Sequence, residues 1–368
     1  MSCLIAGCAT FKASYDYERG RLFETGTRGS VQSYQEALKL YRSAAEQGDA
    51  KAMIALMRPE MIEAARDEEV VKLRRLSVVE GNTKTTSIDD AAAAYLRGDY
   101  AQTLKILRPL AEQGNVEAQY SIGLMYAEGQ GVTQNHQEAL KWFKLAAAQG
   151  YAQAQYNSGV MYRDGLGVAQ NYQEALKWYR LAAAQGHAFS QYNIGAMYEK
   201  GQGVTQNYQE ALKWYRLAAA QGDALAQFNI GAMYNNGWGG TQDYQEALKW
   251  FKLAAAQGYA AGQFNIGGMY YRGDGVTQNY QEALKWIRLA AAQGNAEAQN
   301  NIGYMYDKGQ VVTQDYASAH MWYNLASSAD DADGAKNRDM VAKEMTPQQI
   351  EKAQDMARAC QARNFKGC

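Results

Sequence analysis

The sequence predicts an all-α protein, a right-handed α-solenoid of antiparallel helix pairs, and three observations carry that reading. Trp142, Trp178, Trp214, Trp250, Trp286 and Trp322 fall every 36 residues, and a fixed period of this size marks a stacked repeat. The stretch NYQEALKWYRLAAAQG occurs twice unchanged, at Asn171–Gly186 and Asn207–Gly222, as duplication would leave it. Each period also divides into two stretches with apolar residues at helical spacing. Composition agrees: 35 glycines stand beside 3 prolines and 27 tyrosines beside 8 phenylalanines, a skew that copying one short unit explains.

The first helix of a unit reads from Asp223 as DALAQFNIGAMYNNG. Asp223 is an N-cap whose carboxylate accepts a free backbone N–H of the first turn. Ala226, Ile230 and Tyr234 form one apolar stripe, and Gly231 lets a neighbouring helix come close. In the second helix Asn207 and Glu210 have the spacing of a capping box. Ala211, Trp214, Tyr215, Ala218 and Ala219 form its packed stripe, with Gln209, Lys213 and Arg216 toward the other face. Gly222 fits a left-handed C-terminal cap, and Gly201 and Gly203 supply positive φ in the turn Glu199–Thr205. One such pair cannot bury its own stripe; stacked pairs can. On this reading the tryptophan is a core anchor worth about 1.5–3 kcal/mol, and Trp→Ala in a central unit costs about 3–5 kcal/mol.

The pattern A-x-x-N-x-G-x-M-Y-x-x-G-x-G-V-x-x-x-Y-x-x-A-x-x-W-Y-x-x-A-A-x-x-G resembles the Sel-one-like repeat (SLR) family, a relative of the tetratricopeptide repeats. The resemblance covers residues 99–329 in seven units, the first degenerate with Ile106 at the tryptophan position. A further copy, Tyr34–Ala52, lies out of phase with Leu40 at that position. A tetratricopeptide reading is second, because its period is 34 residues and its proline is missing here. The resemblance implies a non-enzymatic protein–protein interaction scaffold, with roles in envelope assembly, secretion or host contact.

The ends depart from the period. Residues 1–8 read as a signal or lipobox remnant, and residues 9–98 as degenerate N-terminal helices with the out-of-phase copy. Within the latter, Ala50–Arg75 reads as helical and Gly81–Asp90 as a polar connector. Pro109 should kink or shorten the second helix of the first regular unit. Residues 330–368 read as a C-terminal cap: Thr346 as N-cap, Pro347 at the first helical position and Gln349 at the third start a helix to Arg363.

The four cysteines, Cys3, Cys8, Cys360 and Cys368, all lie outside the repeats. Ile5-Ala6-Gly7-Cys8 resembles a bacterial lipobox, which makes Cys8 a candidate for lipidation. No basic segment precedes it, and its apolar run is shorter than the roughly 7–15 residues of a signal peptide, so an ordinary small-residue N-terminus is the alternative. Cys360 and Cys368 are close enough in sequence to pair, a bond that persists in a periplasm and rarely in a cytosol; two free thiols are the alternative. The localisation expected is the bacterial envelope, periplasmic or as an outer-membrane lipoprotein. A cytoplasmic adaptor regulating signalling and an envelope glycan-binding protein are the other readings.

Little points to chemistry. A net charge of -1 with no basic stripe argues against a nucleic-acid partner. No apolar run reaches the length of a membrane span, so any membrane tie would be an N-terminal lipid. His136, His187 and His320 each occupy an ordinary repeat position, Glu138, Glu174, Glu210, Glu246 and Glu282 recur as cap residues, and the Gly-x-Gly turns lack the strand of a phosphate loop. The sequence therefore implies no enzyme, no cofactor and no metal. A protein or peptide partner is the expectation, and two sets of residues are candidates to hold it. Tyr120, Tyr156, Tyr192, Phe228 and Phe264 project roughly 160° from the packed stripe of successive first helices and form an aromatic row, on what would be the concave surface. Their i+4 neighbours (Leu124, Val160, Ala196, Ala232, Gly268) are mostly small. Trp238, the one off-period tryptophan, stands in a glycine-rich loop. For each set the alternative is packing, the row between adjacent repeats and Trp238 against a neighbouring loop.

Overall fold

A computed structural model describes residues 87–368 apart from positions 330, 364 and 366. Cys3 and Cys8, the copy at Tyr34–Ala52 and the helix expected over Ala50–Arg75 lie outside the described residues. Among those described there are sixteen α-helices and no strand. They are α1 Ile88–Leu96, α2 Tyr100–Glu112, α3 Val116–Glu128, α4 His136–Ala148, α5 Ala152–Asp164, α6 Tyr172–Ala184, α7 Ala188–Lys200, α8 Tyr208–Ala220, α9 Ala224–Asn236, α10 Tyr244–Ala256, α11 Ala260–Arg272, α12 Tyr280–Ala291, α13 Ala296–Lys308, α14 Tyr316–Ser327, α15 Ala332–Val341 and α16 Pro347–Ala362. The described residues divide into two compact units, one ending at Asn207 and the other beginning at Tyr208. Within each, successive helices pack on one another, except that α16 packs on α14 rather than on α15, the arrangement of an α-solenoid with a terminal cap.

Local chemistry sets the helix boundaries. At the second helices the side chains of Asn135, Asn171, Asp243, Asn279 and Asp315 accept first-turn N–H groups. The reciprocal arm of the expected capping box is not made there. Glu138, Glu174, Glu246 and Glu282 turn outward instead to Lys141, Lys177, Lys249 and Lys285 one turn on. These are exposed pairs that add little to stability. First helices end on glycines in the left-handed region, Gly201 among them at φ 68°. Gly203 is needed sterically as well, since a Cβ there would lie 2.8 Å from the backbone carbon of Tyr172. The last repeat has Val311 at the corresponding place and holds it at φ 70°, a strained conformation for a β-branched residue.

The core is formed mainly by Ala, Ile and Met of the first helices and by Ala, Leu and one large residue of the second helices, with Ser158, Ser190, Gly262 and His320 substituting in single copies. That large residue follows the tryptophan. Phe143, Tyr179, Tyr215, Phe251, Ile287 and Tyr323 are all essentially buried. Trp142, Trp178, Trp214, Trp250 and Trp286 are only half-buried, contrary to the expectation of a tryptophan core. They lie one residue off the packed face, at its rim. Trp142, Trp178 and Trp286 lean onto clusters built largely by the preceding repeat.

A buried glutamine ladder ties the repeats together. In the first unit Gln119 and Gln155 donate to the carbonyls of Ala111 and Ala147 (3.0 and 3.1 Å) and accept from Gln149 and Gln185 (2.8 Å each). In the second unit Gln257 and Gln293 donate in the same way to Gln227 and Gln263 at 2.8 Å. In the first unit each link adds an acceptor contact to a carbonyl in the last turn of a helix, which also accepts a backbone N–H there.

The described ends differ partly from expectation. α1 begins at Ile88, inside the stretch read as a connector, because Ser87 and Asp90 form a full capping box. α2 runs through Pro109 to 13 residues, the length of the regular helices around it, so the proline does not shorten it. At the other end Thr346 and Gln349 form the expected capping box with Pro347 in the first turn, and α16 packs along α14.

Candidate functional site

The aromatic row is shared between packing and surface. In the first unit the Tyr120 ring lies 5.7 Å from Phe143 and 5.1 Å from Tyr151. Tyr156 lies 5.8 Å from Tyr179, 4.9 Å from His187 and 6.1 Å from Phe189. In the second unit Phe228 lies 5.6 Å from Phe251 and 5.1 Å from Tyr259, and Phe264 packs beside the cluster of Ile287 and Ile302. All of these, and Tyr192, are half-buried. One part of the Tyr120, Tyr156, Phe228 and Phe264 rings packs on these neighbours and the rest meets solvent, so the row presents ring edges rather than free-standing rings.

What surrounds the row changes from copy to copy. The neighbours one turn on are Leu124, Val160 and Ala196 in the first unit and Ala232 and Gly268 in the second, all half-buried, with Tyr304 42% exposed. The turn after brings Ala127, Arg163 and Glu199, then Asn235, Tyr271 and Asp307. Arg163 makes two 2.7 Å bonds to the Asp164 carboxylate and a third to Asn193 Oδ1 on the next first helix. That ion pair raises its pKa and keeps it charged. Helices with a constant core thus carry a variable face.

Trp238 lies flat on Tyr208, ring centres 5.6 Å apart and planes inclined by 20°, and remains 41% exposed. Beside it is a cavity of about 320 Å³ lined by Leu212, Met233, Tyr234, Trp238 and the loop 239–243. Gly240 stands where neighbouring copies have Val204 and Val276, and nothing lies within 4 Å of a Cβ built on it.

The remaining candidates are dispersed. Cys360 and Cys368 are joined in a disulfide with their Cα atoms 5.8 Å apart, which ties the chain end back onto α16. His187 serves as the N-cap of α7, with Nδ1 3.0 Å from Ser190 Oγ. His320 is buried, and burial lowers its pKa. Among the described residues no group of three or more His, Cys, Asp or Glu could hold a metal ion, and no helix is long and apolar enough to cross a membrane. Asp223 caps α9 through a 2.6 Å bond from the Ala226 N–H while its second oxygen, Oδ2, is buried without a hydrogen-bond partner. Burial pushes its carboxyl up to about 6.

The Sel1 repeat model matches residues 14–49 and then six consecutive segments, 116–151, 152–187, 188–223, 224–259, 260–295 and 296–331. The chain belongs to the Sel1 repeat family. Each consecutive Sel1 match spans one first and one second helix, and residues 14–49 overlap the out-of-phase copy read from the sequence. A Sel1 repeat protein from Oxalobacter formigenes is 33% identical, with a TM-score of 0.60 over 66% of this chain and 97% of that one. The protective antigen c5321 of uropathogenic Escherichia coli, which displays an SLR fold, is 25% identical, with a TM-score of 0.49 over 96% of this chain and 93% of that one. No curated protein sequence matches the chain. Sel1 repeat proteins are generally interaction scaffolds without catalysis.

Two features escaped the sequence reading. The glutamine ladder sits at the polar position after each buried first-helix alanine, and its regular recurrence was the available signal. The leucines three residues after Trp142, Trp178, Trp214, Trp250 and Trp286 recur equally regularly, and they are exposed.

Proposed function

We propose that this chain is a scaffold of the bacterial cell envelope that holds a protein or peptide along the face of its first helices. The observation that supports this most is the half-exposed row of Tyr120, Tyr156, Tyr192, Phe228 and Phe264, flanked by side chains that vary between copies, most of all at Ala127, Arg163, Glu199, Asn235 and Tyr271. Duplicated units keep what the fold needs, so variation concentrated beside an aromatic row is where recognition has room to act. Aromatic rings already held in place lose little freedom on binding and serve as anchors. Trp238 and its adjoining cavity supply a further contact point in the second unit.

The envelope assignment rests on Ile5-Ala6-Gly7-Cys8 and on the Cys360–Cys368 pair. Lipidation of Cys8 would tether the chain at its N-terminus, and a disulfide suits an oxidising compartment. Metabolic labelling with a lipid precursor, followed by thiol alkylation and mass spectrometry, tests both. Acylated Cys8 with oxidised Cys360 and Cys368 supports the envelope; an unacylated, fully reduced protein favours a cytoplasmic adaptor.

The binding face is tested at the i+4 positions, since truncating the aromatic rings would also open the packing against Phe143, Tyr179 and Phe251. Val160→Glu and Ala232→Glu should abolish recovery of the partner from native cells while the melting temperature changes little. Undiminished recovery with both variants would place the partner elsewhere.

A further inference from the structure

The second helices of the second unit carry an apolar pair three residues apart in every regular repeat: Trp214 with Leu217, Trp250 with Leu253, and Trp286 with Leu289. Residues at this spacing share a helix face. The tryptophans are half-buried, and the leucines are 50%, 49% and 51% exposed. Scattered surface leucines need no explanation, but the same leucine half-exposed at one place in successive repeats makes a recurring apolar row.

The last repeat shows what covers such a pair. Its equivalents, Trp322 and Leu325, are 3% and 1% exposed. α16 lies along α14 there, and its Ala357 and Cys360 join Met321, Trp322 and Leu325 in one cluster. With Ala353, these form the buried small-residue face of an otherwise polar helix. An amphipathic helix with that face therefore fits the Trp–Leu pair.

The flanking residues change where the helix sits. Regular repeats have Lys213, Lys249 and Lys285 before the tryptophan and Arg216, Lys252 and Arg288 before the leucine; the last repeat has Met321 and Asn324. The three lysines before tryptophan pair with Glu210, Glu246 and Glu282. Arg216 and Arg288 donate to the hydroxyls of Tyr234 and Tyr306, and no ion pair with a carboxylate is formed by Arg216, Lys252 or Arg288 among the described residues. Each exposed leucine thus stands beside a cation that has no carboxylate, whereas the pair covered by α16 has none to neutralise. We propose that the row Leu217, Leu253, Leu289 docks an acidic amphipathic helix of a partner protein. Its small-residue face would lie on the leucines and its carboxylates against Arg216, Lys252 and Arg288. This surface lies on the other helix of each pair from the aromatic row and does not depend on it.

The probe is a fluorescein-labelled synthetic peptide of residues 346–362 carrying Lys352→Glu and Arg358→Glu, titrated into the full chain by fluorescence anisotropy. The acidic peptide should bind saturably, and more weakly as salt rises. Leu217→Ser with Leu253→Ser should weaken it at least about tenfold with the melting curve little changed. Arg216→Glu with Arg288→Glu, at exposed positions outside the core, should do the same. Absence of saturable binding, or binding unaffected by either pair of substitutions, overturns the proposal. Equal affinity for the unsubstituted peptide overturns the acidic partner. A stable dimer of the chain that protects the leucines from solvent makes the occupant a second copy and overturns it too.

Discussion

Gly159 and Tyr179 fit at a distance that leaves no room for another atom: a Cβ built on Gly159 would lie 2.6 Å from two carbons of the Tyr179 ring. The same fit recurs between Gly123 and Phe143 and between Gly231 and Phe251. It sets how closely the two helices of a repeat approach. Gly159→Ala should destabilise the protein by about 1–3 kcal/mol through overpacking, although alanine is the better helix former. Chemical denaturation checks this. In a double-mutant cycle, Tyr179→Leu should recover part of the loss, because the clash is with that ring.

The buried Tyr179 hydroxyl has no hydrogen-bond partner among the described residues, and burial raises its pKa. Phe143 and Phe251 fill the same place in other copies. Tyr179→Phe should therefore be stabilising by about 1 kcal/mol, since an unpaired buried donor carries a desolvation penalty. A lower denaturation midpoint for this variant would show that the hydroxyl is satisfied.

The core anchor is the residue after each tryptophan. Phe251→Ala should cost about 3–5 kcal/mol as a buried large-to-small change. Trp250→Ala should cost less, because the indole is half-exposed and loses less area from water. The order of the two losses, measured in one denaturant series, decides between a tryptophan core and the arrangement described above.

Asp223 makes the second unit sensitive to pH. Its folded pKa of about 6 lies above the roughly 3.9 of an unfolded aspartate, so the folded state holds the proton more tightly. Stability from this group is full below the unfolded pKa and falls as pH rises toward the folded value. Asp223→Asn keeps a good cap, as Asn295 does in a later copy. It should raise stability at pH 7 and flatten the dependence between pH 4 and 7. A wild-type melting temperature that does not fall over that range would remove the buried charge from the account.

The sequence made the fold legible because helix periodicity, caps and turn glycines are local signals that the duplication repeats many times. The reading that Gly231 admits a close helix needed only the residue type, and the structure supplies Phe251 as the neighbour. What was not legible depended on angles around the helix axis. Trp250 and Phe251 are adjacent and both large, and sequence alone does not say which one faces the paired helix. The same ambiguity hid the exposure of Leu253. The aromatic row was visible in the sequence as a row, but its contacts with Phe143, Tyr179 and Phe251 come from distances between the two helices of a repeat that periodicity does not contain. The outward turn of Glu174 to Lys177 was equally open, since two donors compete for one carboxylate at similar cost.

The central claim is that the first-helix face carries the partner. Photo-crosslinking in the native cells tests it most directly, with p-benzoylphenylalanine placed singly at Val160, Ala196 or Ala232 on that face and at Thr205 or Thr277 in exposed turns. The account predicts one discrete adduct of common mass from the three face positions and none from the turns. No adduct from any face position, or the same adducts from face and turns alike, would contradict it.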